Sequence, residues 1–485
     1  MIHRRPVHPR RARALAFGCV ALATGGIALW NAPAANLAHR LVRRATPNNP
    51  SATRAAITGP WIHGRVALAQ GAVLAGGART VYAEVRLGAD SRNIAPTEVR
   101  PVALAVALDV SGSMSGEKIE QARRALLEMV NGMREFDQIA IVTYSETPRT
   151  LQPLATVRDV RDALRVMIPA IGIEGGTNIP SGLALASNEL RNARDGLVRR
   201  VVLMSDGQDQ SGMQIETVRA SVRSQADYGV TMSALGIGSD YDERFMSTVA
   251  DAGHGNYEFL REGAQLATFL QRELQQATGT VVDRAVAEVQ LPAGWTLVRA
   301  MGTEAQGTAG AVRLPVGSLF AGDERRMVLE LNVPAGETGN VASLGVAVRY
   351  HAVADRRDIS LDPARVALRT VASEADVTAS RDVQVYAETE STALAARQTA
   401  AVMAWREGRV QEAQQIAAQN VATLRTLQVA APSAALAAQV AEYSRDQAAF
   451  GSMGAGSAQG REYGLQSGVA NRARAMRSGV PSTTN

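Results

Sequence analysis

The sequence predicts an α/β protein: a doubly wound, mainly parallel sheet inserted next to a β-sandwich built by flanking segments, with a helical hairpin towards the C-terminus. Three observations predict it. A continuous apolar run at 102–108 opens a region of alternating strand-like and helix-like segments, the pattern of a parallel sheet covered on both faces. On either side of that region, short segments alternate apolar and polar residues with period two, as half-buried antiparallel strands do. Beyond about residue 385 the chain turns alanine-rich, with apolar residues at helical spacing.

The first 34 residues read as an address. Five arginines (Arg4, Arg5, Arg10, Arg11 and Arg13) precede a mostly apolar run of 17 residues, 14–30, and Ala32-Pro33-Ala34 supplies an A-x-A site. A basic stretch, an apolar run and a small-residue cleavage site make a secretory signal peptide. The alternative is a single uncleaved N-terminal membrane anchor, because 17 residues sit at the lower limit for a hydrocarbon layer of about 30 Å. Either way the arginine cluster stays inside and the remainder is exported, to the periplasm, cell envelope or extracellular space. Residues 35–59 follow as a polar linker containing Pro47-Asn48-Asn49-Pro50.

The leader also accounts for the charge. A net charge of +5 and a pI near 9.6 invite nucleic acid as a partner. Yet no Asp or Glu occurs before Glu84, while eleven arginines do, and without residues 1–34 the chain is neutral. Aromatic residues are only 4%, so no basic surface interleaved with aromatics is expected, and no nucleic-acid partner. The one cysteine, Cys19, lies in the leader, which rules out an internal disulfide framework and a cysteine zinc site. Nearly all the positive charge is arginine, Lys118 being the only lysine, a bias that reads as a genome rich in G+C.

In 60–100, the stretch 79–87 alternates cleanly: Val81, Ala83, Val85 and Leu87 point one way, Tyr82, Glu84 and Arg86 the other. The same period returns near 285–291 and 327–333, each ending in a Pro-Ala-Gly turn, and again at 344–350. Segments 60–100 and 279–375 therefore predict one sandwich with the central region inserted between its strands. Within 101–278, strands are expected at 102–108, 138–144, 201–204 and 230–235, and helices at 116–134, 157–167, 179–192 and between the last two strands. Residues 385–449 predict an αα-hairpin broken at Gly408, with a third helix at 433–449 as an extension and Trp405 packed against the sandwich. The Gly- and Ser-rich residues 450–485 read as a flexible tail.

Chemistry gathers where strands end. Asp109-Val110-Ser111-Gly112-Ser113 follows the apolar strand directly. That places a carboxylate and two hydroxyls in the loop beyond its C-terminal end, where doubly wound sheets bind ligands. Gly175-Gly176-Thr177-Asn178 supplies a third hydroxyl, Thr177, and Ser205-Asp206-Gly207 a second carboxylate, Asp206, after another apolar strand. An all-oxygen set suits a hard divalent cation.

In order and context these five residues resemble the metal-ion-dependent adhesion site of a von Willebrand factor type A (VWA) domain. The likeness covers about 101–278 and extends to 136–145 and 230–238. The resemblance implies a Rossmann-like domain in which Ser111, Ser113 and Thr177 contact the metal directly or nearly so, and Asp109 and Asp206 mainly through water. It implies Mg²⁺, with Mn²⁺ or Ca²⁺ as alternatives, and an open position that an Asp or Glu of a protein partner fills. The layout of sandwich, α/β domain and C-terminal helices also resembles exported bacterial proteins carrying this domain.

No catalytic motif is present: no H-E-x-x-H helix, no Walker loop, no G-x-S-x-G elbow, and six histidines that do not cluster in sequence. His254 reads as part of a turn before a strand, and Asp209, Asp240 and Asp242 as surface or capping residues. The expectation is a non-enzymatic cell-envelope or surface protein that binds a protein partner through its metal. The alternative is a regulatory or assembly subunit of an enzyme complex, which the export signal disfavours.

Overall fold

The computed structural model describes residues 52–91, 101–261 and 265–476. The leader at 1–34 and most of the predicted linker lie outside the described residues. The chain begins with strands β1 (Arg54–Gly59), β2 (Ile62–Leu68), β3 (Ala72–Leu74) and β4 (Ala78–Ala89). Next come β5 (Val102–Asp109), α1 (Glu117–Gly132), β6 (Gln138–Tyr144), β7 (Pro148–Thr156), α2 (Val157–Met167), α3 (Ile179–Glu189), β8 (Val198–Ser205), α4 (Ile215–Asp227), β9 (Val230–Ile237), α5 (Glu243–Ala252), β10 (His254–Leu260) and α6 (Leu266–Thr278). Six strands follow: β11 (Thr280–Gln290), β12 (Thr296–Met301), β13 (Ala311–Phe320), β14 (Glu324–Pro334), β15 (Val341–Ala352) and β16 (Arg357–Val371). The described chain ends in helices α7 (Glu374–Ala379), α8 (Val383–Arg406), α9 (Val410–Ala430), α10 (Ala434–Ser452) and α11 (Ala458–Met476).

The central sheet has the order β10-β9-β8-β5-β6-β7. Its strands are parallel except the edge strand β7, which returns antiparallel to β6. β5 lies in the middle and is buried on both faces, which explains its unbroken apolar run. Its period-two alternation is one of size: Val102, Leu104, Val106 and Leu108 join the core under α1 and α6, while Ala103, Ala105 and Ala107 face α3 and α5. β6 flanks β5 on one side and β8 on the other, so the strand order reverses there and opens a crevice at their C-terminal ends.

The sandwich consists of sheets β1-β2-β4-β14-β12 and β13-β11-β15-β16-β3, sharing one apolar core. β4 pairs with β14 along its length, from Ala78↔Pro334 to Gly88↔Glu324, so the sandwich is completed only by chain on both sides of the α/β domain. The inward residues Val81, Ala83, Val85 and Leu87 are all buried. The outer face of β4 is not open to solvent as half-burial implied. α8 lies across it, and Glu84 is buried among Arg65, Arg86 and Glu388.

Three boundaries differ from the sequence reading. Residues 54–59, read as linker, form β1, because they pair with β2 across a two-residue turn at Pro60 and Trp61. The helical hairpin is larger: α9 packs on α8 and α10, and α11 packs back on α8. Residues 458–476, read as flexible tail, are that last helix; Leu465 and Asn471 are buried in it, and Asn471 accepts a hydrogen bond from the Tyr443 hydroxyl at 2.8 Å. Trp405 consequently packs not on the sandwich but inside the helical layer, against Phe450 at 5.2 Å and Tyr463 at 6.2 Å between centroids. Ion pairs Arg406–Glu243, Arg472–Asp251 and Arg261–Glu462 clasp these helices to the α/β domain. Among the described residues no helix is long and apolar enough to cross a membrane.

Candidate metal centre

The crevice between β5 and β8 holds all five predicted residues. Asp109 is the last residue of β5 and is wholly buried. Its Oδ1 accepts the Ser111 backbone N–H at 2.8 Å and its Oδ2 the Ser205 hydroxyl at 2.6 Å. A single 3₁₀ turn at Gly112–Met114 then folds the loop back. Met114 anchors that turn in the core under α1, and the turn brings Ser111 Oγ within 3.0 Å of Ser113 Oγ. Ser113 Oγ donates to Asp206 Oδ1 at 2.6 Å, joining the β5 loop to the end of β8.

Thr177 comes from the third loop, which other residues fix. Gly176 has φ +76°, and a Cβ there would stand 2.9 Å from the Glu146 side chain. Asn178 N–H donates to the Ser145 carbonyl at 2.7 Å, and Asn178 Oδ1 caps α3 by accepting from Ser181 N–H at 3.1 Å. Asp209 Oδ1 accepts from Ile179 N–H at 3.1 Å. Gly207 marks where Thr177 meets the others: a Cβ at Gly207 would lie 3.2 Å from Ser113 Oγ and 3.5 Å from Thr177 Oγ1. Glycine therefore keeps the space between these two hydroxyls clear. Asp242, expected at a cap, caps α5 through Phe245 N–H at 2.9 Å, and its own N–H donates to the Gly207 carbonyl at 3.0 Å. Asp240 stays at the surface, 3.8 Å from Arg461.

The sequence reading missed Lys118. Its Nζ lies on Asp206 Oδ2 and 3.3 Å from the Ser113 carbonyl oxygen. The only signal was that a chain with 51 cationic residues uses lysine once, nine positions after Asp109. The electrostatics fit a cation site. Burial pushes the Asp109 carboxyl above its ordinary value; hydrogen bonds from Ser111 and Ser205 offset this only in part, and neighbouring Asp206 adds to it. Two buried carboxylates and three hydroxyls thus lie together, with the Lys118 ammonium as compensating charge on Asp206. Among the described residues no group of three His, Cys, Asp or Glu side chains is placed to hold a metal. A cation here would rely on hydroxyl oxygens beside two carboxylates, an all-oxygen set of the kind that suits hard divalent ions.

The von Willebrand factor type A domain family matches residues 103–272. An uncharacterized protein, YfbK, of Escherichia coli K12 is 32% identical over 202 residues, covering 41% of this chain and 35% of that protein. The chain therefore spans only about a third of that relative. Protein sll0103 of Synechocystis, also uncharacterized, is 22% identical over 320 residues, 64% of this chain and 75% of that protein. Among solved structures, a von Willebrand factor type A protein from Catenulispora acidiphila superposes with TM-score 0.61 at 20% identity, covering 78% of this chain and 90% of its own. The ArnB paralog VWA2 from Sulfolobus acidocaldarius superposes with TM-score 0.58 at 15% identity, covering 86% and 100%. Both alignments reach well beyond 103–272, so the fold they share with this chain includes more than the α/β domain. With its five oxygen donors at the switch point of a doubly wound sheet, the segment 103–272 is a von Willebrand factor type A domain.

Proposed function

We propose that the chain is a non-enzymatic binding protein of the cell envelope or surface. Its VWA domain takes a divalent cation, Mg²⁺ first, and through it the Asp or Glu side chain of a protein partner. The observation that carries the reading is the convergence of Ser111, Ser113 and Thr177 with Asp109 and Asp206 around a space that Gly207 keeps clear. The hydroxyls would hold the cation and the carboxylates would support it through water. A hard cation held mainly by neutral oxygens keeps net positive charge, and so supplies attraction for a further carboxylate. The chain's own residues shape that role: Asp109 and Ser205 fix the loop, the turn anchored by Met114 aligns the two serines, and the clasped α3 cap aims Thr177. Export is supported by the basic, apolar and A-x-A segments of 1–34.

Thermal melting of the full chain tests the reading. Mg²⁺ at a hundredfold excess over its Kd stabilises by about 2.7 kcal/mol, a rise of roughly 2–4 °C for a protein of this size. Asp109→Ala and Ser113→Ala each remove that rise. A rise of the same size in both variants refutes the assignment. A metal-dependent pull-down from envelope fractions, abolished by Asp109→Ala, then tests the partner; recovery of the full-length chain in the cytosol contradicts the export reading.

A further inference from the structure

We propose that Lys118 is a built-in counter-cation of this centre: without metal its ammonium occupies Asp206, and a divalent cation binds only as that ammonium withdraws. The inference rests on the metal reading above and deepens it by assigning the group that sets the site's affinity. Lys118 Nζ contacts Asp206 Oδ2 and lies 3.3 Å from the Ser113 carbonyl oxygen, while Asp206 Oδ1 accepts from Ser113 Oγ. Both Asp206 oxygens are thus engaged, one of them by the Lys118 ammonium.

The two partners are not equally fixed. The Asp206 side chain is wholly buried, whereas 36% of the Lys118 side chain is exposed. The carboxylate stays, and the ammonium has solvent to move into. Its stem runs over Gly238, where a Cβ would stand 3.7 Å from Lys118 Cε and Nζ. The residue type matters as well. Lysine is a compact charge on a flexible stem, whereas arginine grips a carboxylate with a rigid two-pronged fork and is more weakly hydrated. Where other buried carboxylates among the described residues form an ion pair, the partner is arginine: Glu84 with Arg65 and Arg86, Glu273 with Arg200 at 2.8 Å. The one position in the sequence that takes lysine is the one where the cation has to leave. A divalent ion and an ammonium on the same carboxylate repel, so the ion pair must be given up as the metal is gained.

Two measurements on the full chain test this. Titration calorimetry with Mn²⁺ shows Lys118→Gln and Lys118→Met binding about tenfold more tightly than wild type, the scale expected for removing one like charge beside a partly buried ion. Lys118→Arg, which keeps the charge, binds no more tightly than wild type. The second measurement uses the wild-type chain and needs no variant to fold. An amine-reactive ester labels Lys118, and peptide mass spectrometry separates it from the α-amine. Saturating Mn²⁺ speeds labelling of Lys118 several-fold, and does not in Asp109→Ala. Unchanged or slower labelling at saturation, or Lys118→Gln and Lys118→Met binding no tighter than wild type, overturns the proposal while leaving the metal site standing. No Mn²⁺ binding by wild type or by any Lys118 variant overturns the metal reading itself, and this inference with it.

Discussion

Glu84 in the sandwich and Asp109 in the VWA domain are both wholly buried carboxylates, and their surroundings act on them in opposite directions. Glu84 lies among three guanidinium groups: Arg65 at 2.9 Å, Arg86 at 3.1 Å and Arg326 at 3.5 Å. Burial alone would raise its pKa, but Arg86, Arg65 and Arg326 together outweigh burial and hold the carboxyl below its ordinary value. Asp109 receives hydrogen bonds only from neutral donors of Ser111 and Ser205, and burial wins, so its value is raised. The difference separates two uses of a buried acid. A structural carboxylate is neutralised by fixed cations that the fold supplies. On the proposed metal reading, a carboxylate kept for a ligand is left partly uncompensated, and an incoming cation would complete it.

The largest expected effect lies at Glu84. Glu84→Gln leaves Arg326 without the carboxylate it contacts and weakens the charge pairing of Arg65 and Arg86, under α8 and away from solvent. Removing one partner of a buried ion pair costs roughly 3–5 kcal/mol. The lower end is expected because Glu388 still contacts Arg65 and Arg86, and Glu324 still lies 3.5 Å from Arg86. Urea unfolding measures it. A loss under 1 kcal/mol would mean that the arginines, and not Glu84, are the misfits of this cluster.

The two regions meet at His254, whose buried imidazole makes stability depend on pH. His254 starts β10 of the VWA domain and packs over Gly317 of β13, where a Cβ would stand 2.6 Å from the His254 Cβ. Burial pushes its imidazole down to about 4; Arg325, Arg223 and Arg313 add to the shift and Asp227 opposes it, and Asp251 lines the same small cavity. The folded chain therefore holds a neutral ring while the unfolded chain takes up a proton near the ordinary histidine value of about 6.5. Stability from this group is present above that value and is lost as pH falls towards 4. The loss between pH 7 and pH 4.5 is on the order of 2 kcal/mol. His254→Asn keeps a residue type tolerant of the positive φ of 56° and removes the titration, so its stability falls less over that interval. Parallel wild-type and variant curves would exclude His254 as the titrating group.

What the sequence made legible follows from where the chemistry sits along the chain. Each residue of the candidate metal centre lies in a short contiguous segment close to a strand end or helix start, so residue type and local context suffice to find it. β5 was readable because burial on both faces demands an apolar run. Apart from β1, which pairs with the adjacent β2, the missed features depend on partners distant in sequence. Lys118 gains its meaning from Asp206, 88 residues away. α11 has no broad apolar stripe: Ser467 and Asn471 are buried as polar residues, bonded to Asp446 at 3.1 Å and to Tyr443 at 2.8 Å. Its composition therefore resembles a solvated tail until those partners are known. Trp405 was misplaced for the same reason, since Tyr463 belongs to that helix.

The smallest expected effect tests the other half of the comparison. Asp109→Asn removes a charge that its surroundings disfavour while keeping the side chain's shape. The amide oxygen still accepts the Ser111 N–H, and the amide nitrogen faces Ser205 Oγ, which accepts where it formerly donated. Without metal, the variant's stability therefore stays within about 1 kcal/mol of wild type, because the hydrogen bonds are replaced and a buried charge is lost. With Mg²⁺ present the two chains diverge, since only wild type gains the metal's stabilisation. Urea curves with Mg²⁺ and with chelator separate the two effects. If Asp109→Asn lost several kcal/mol in chelator, Asp109 would be a structural carboxylate like Glu84, and the contrast between the two regions would collapse.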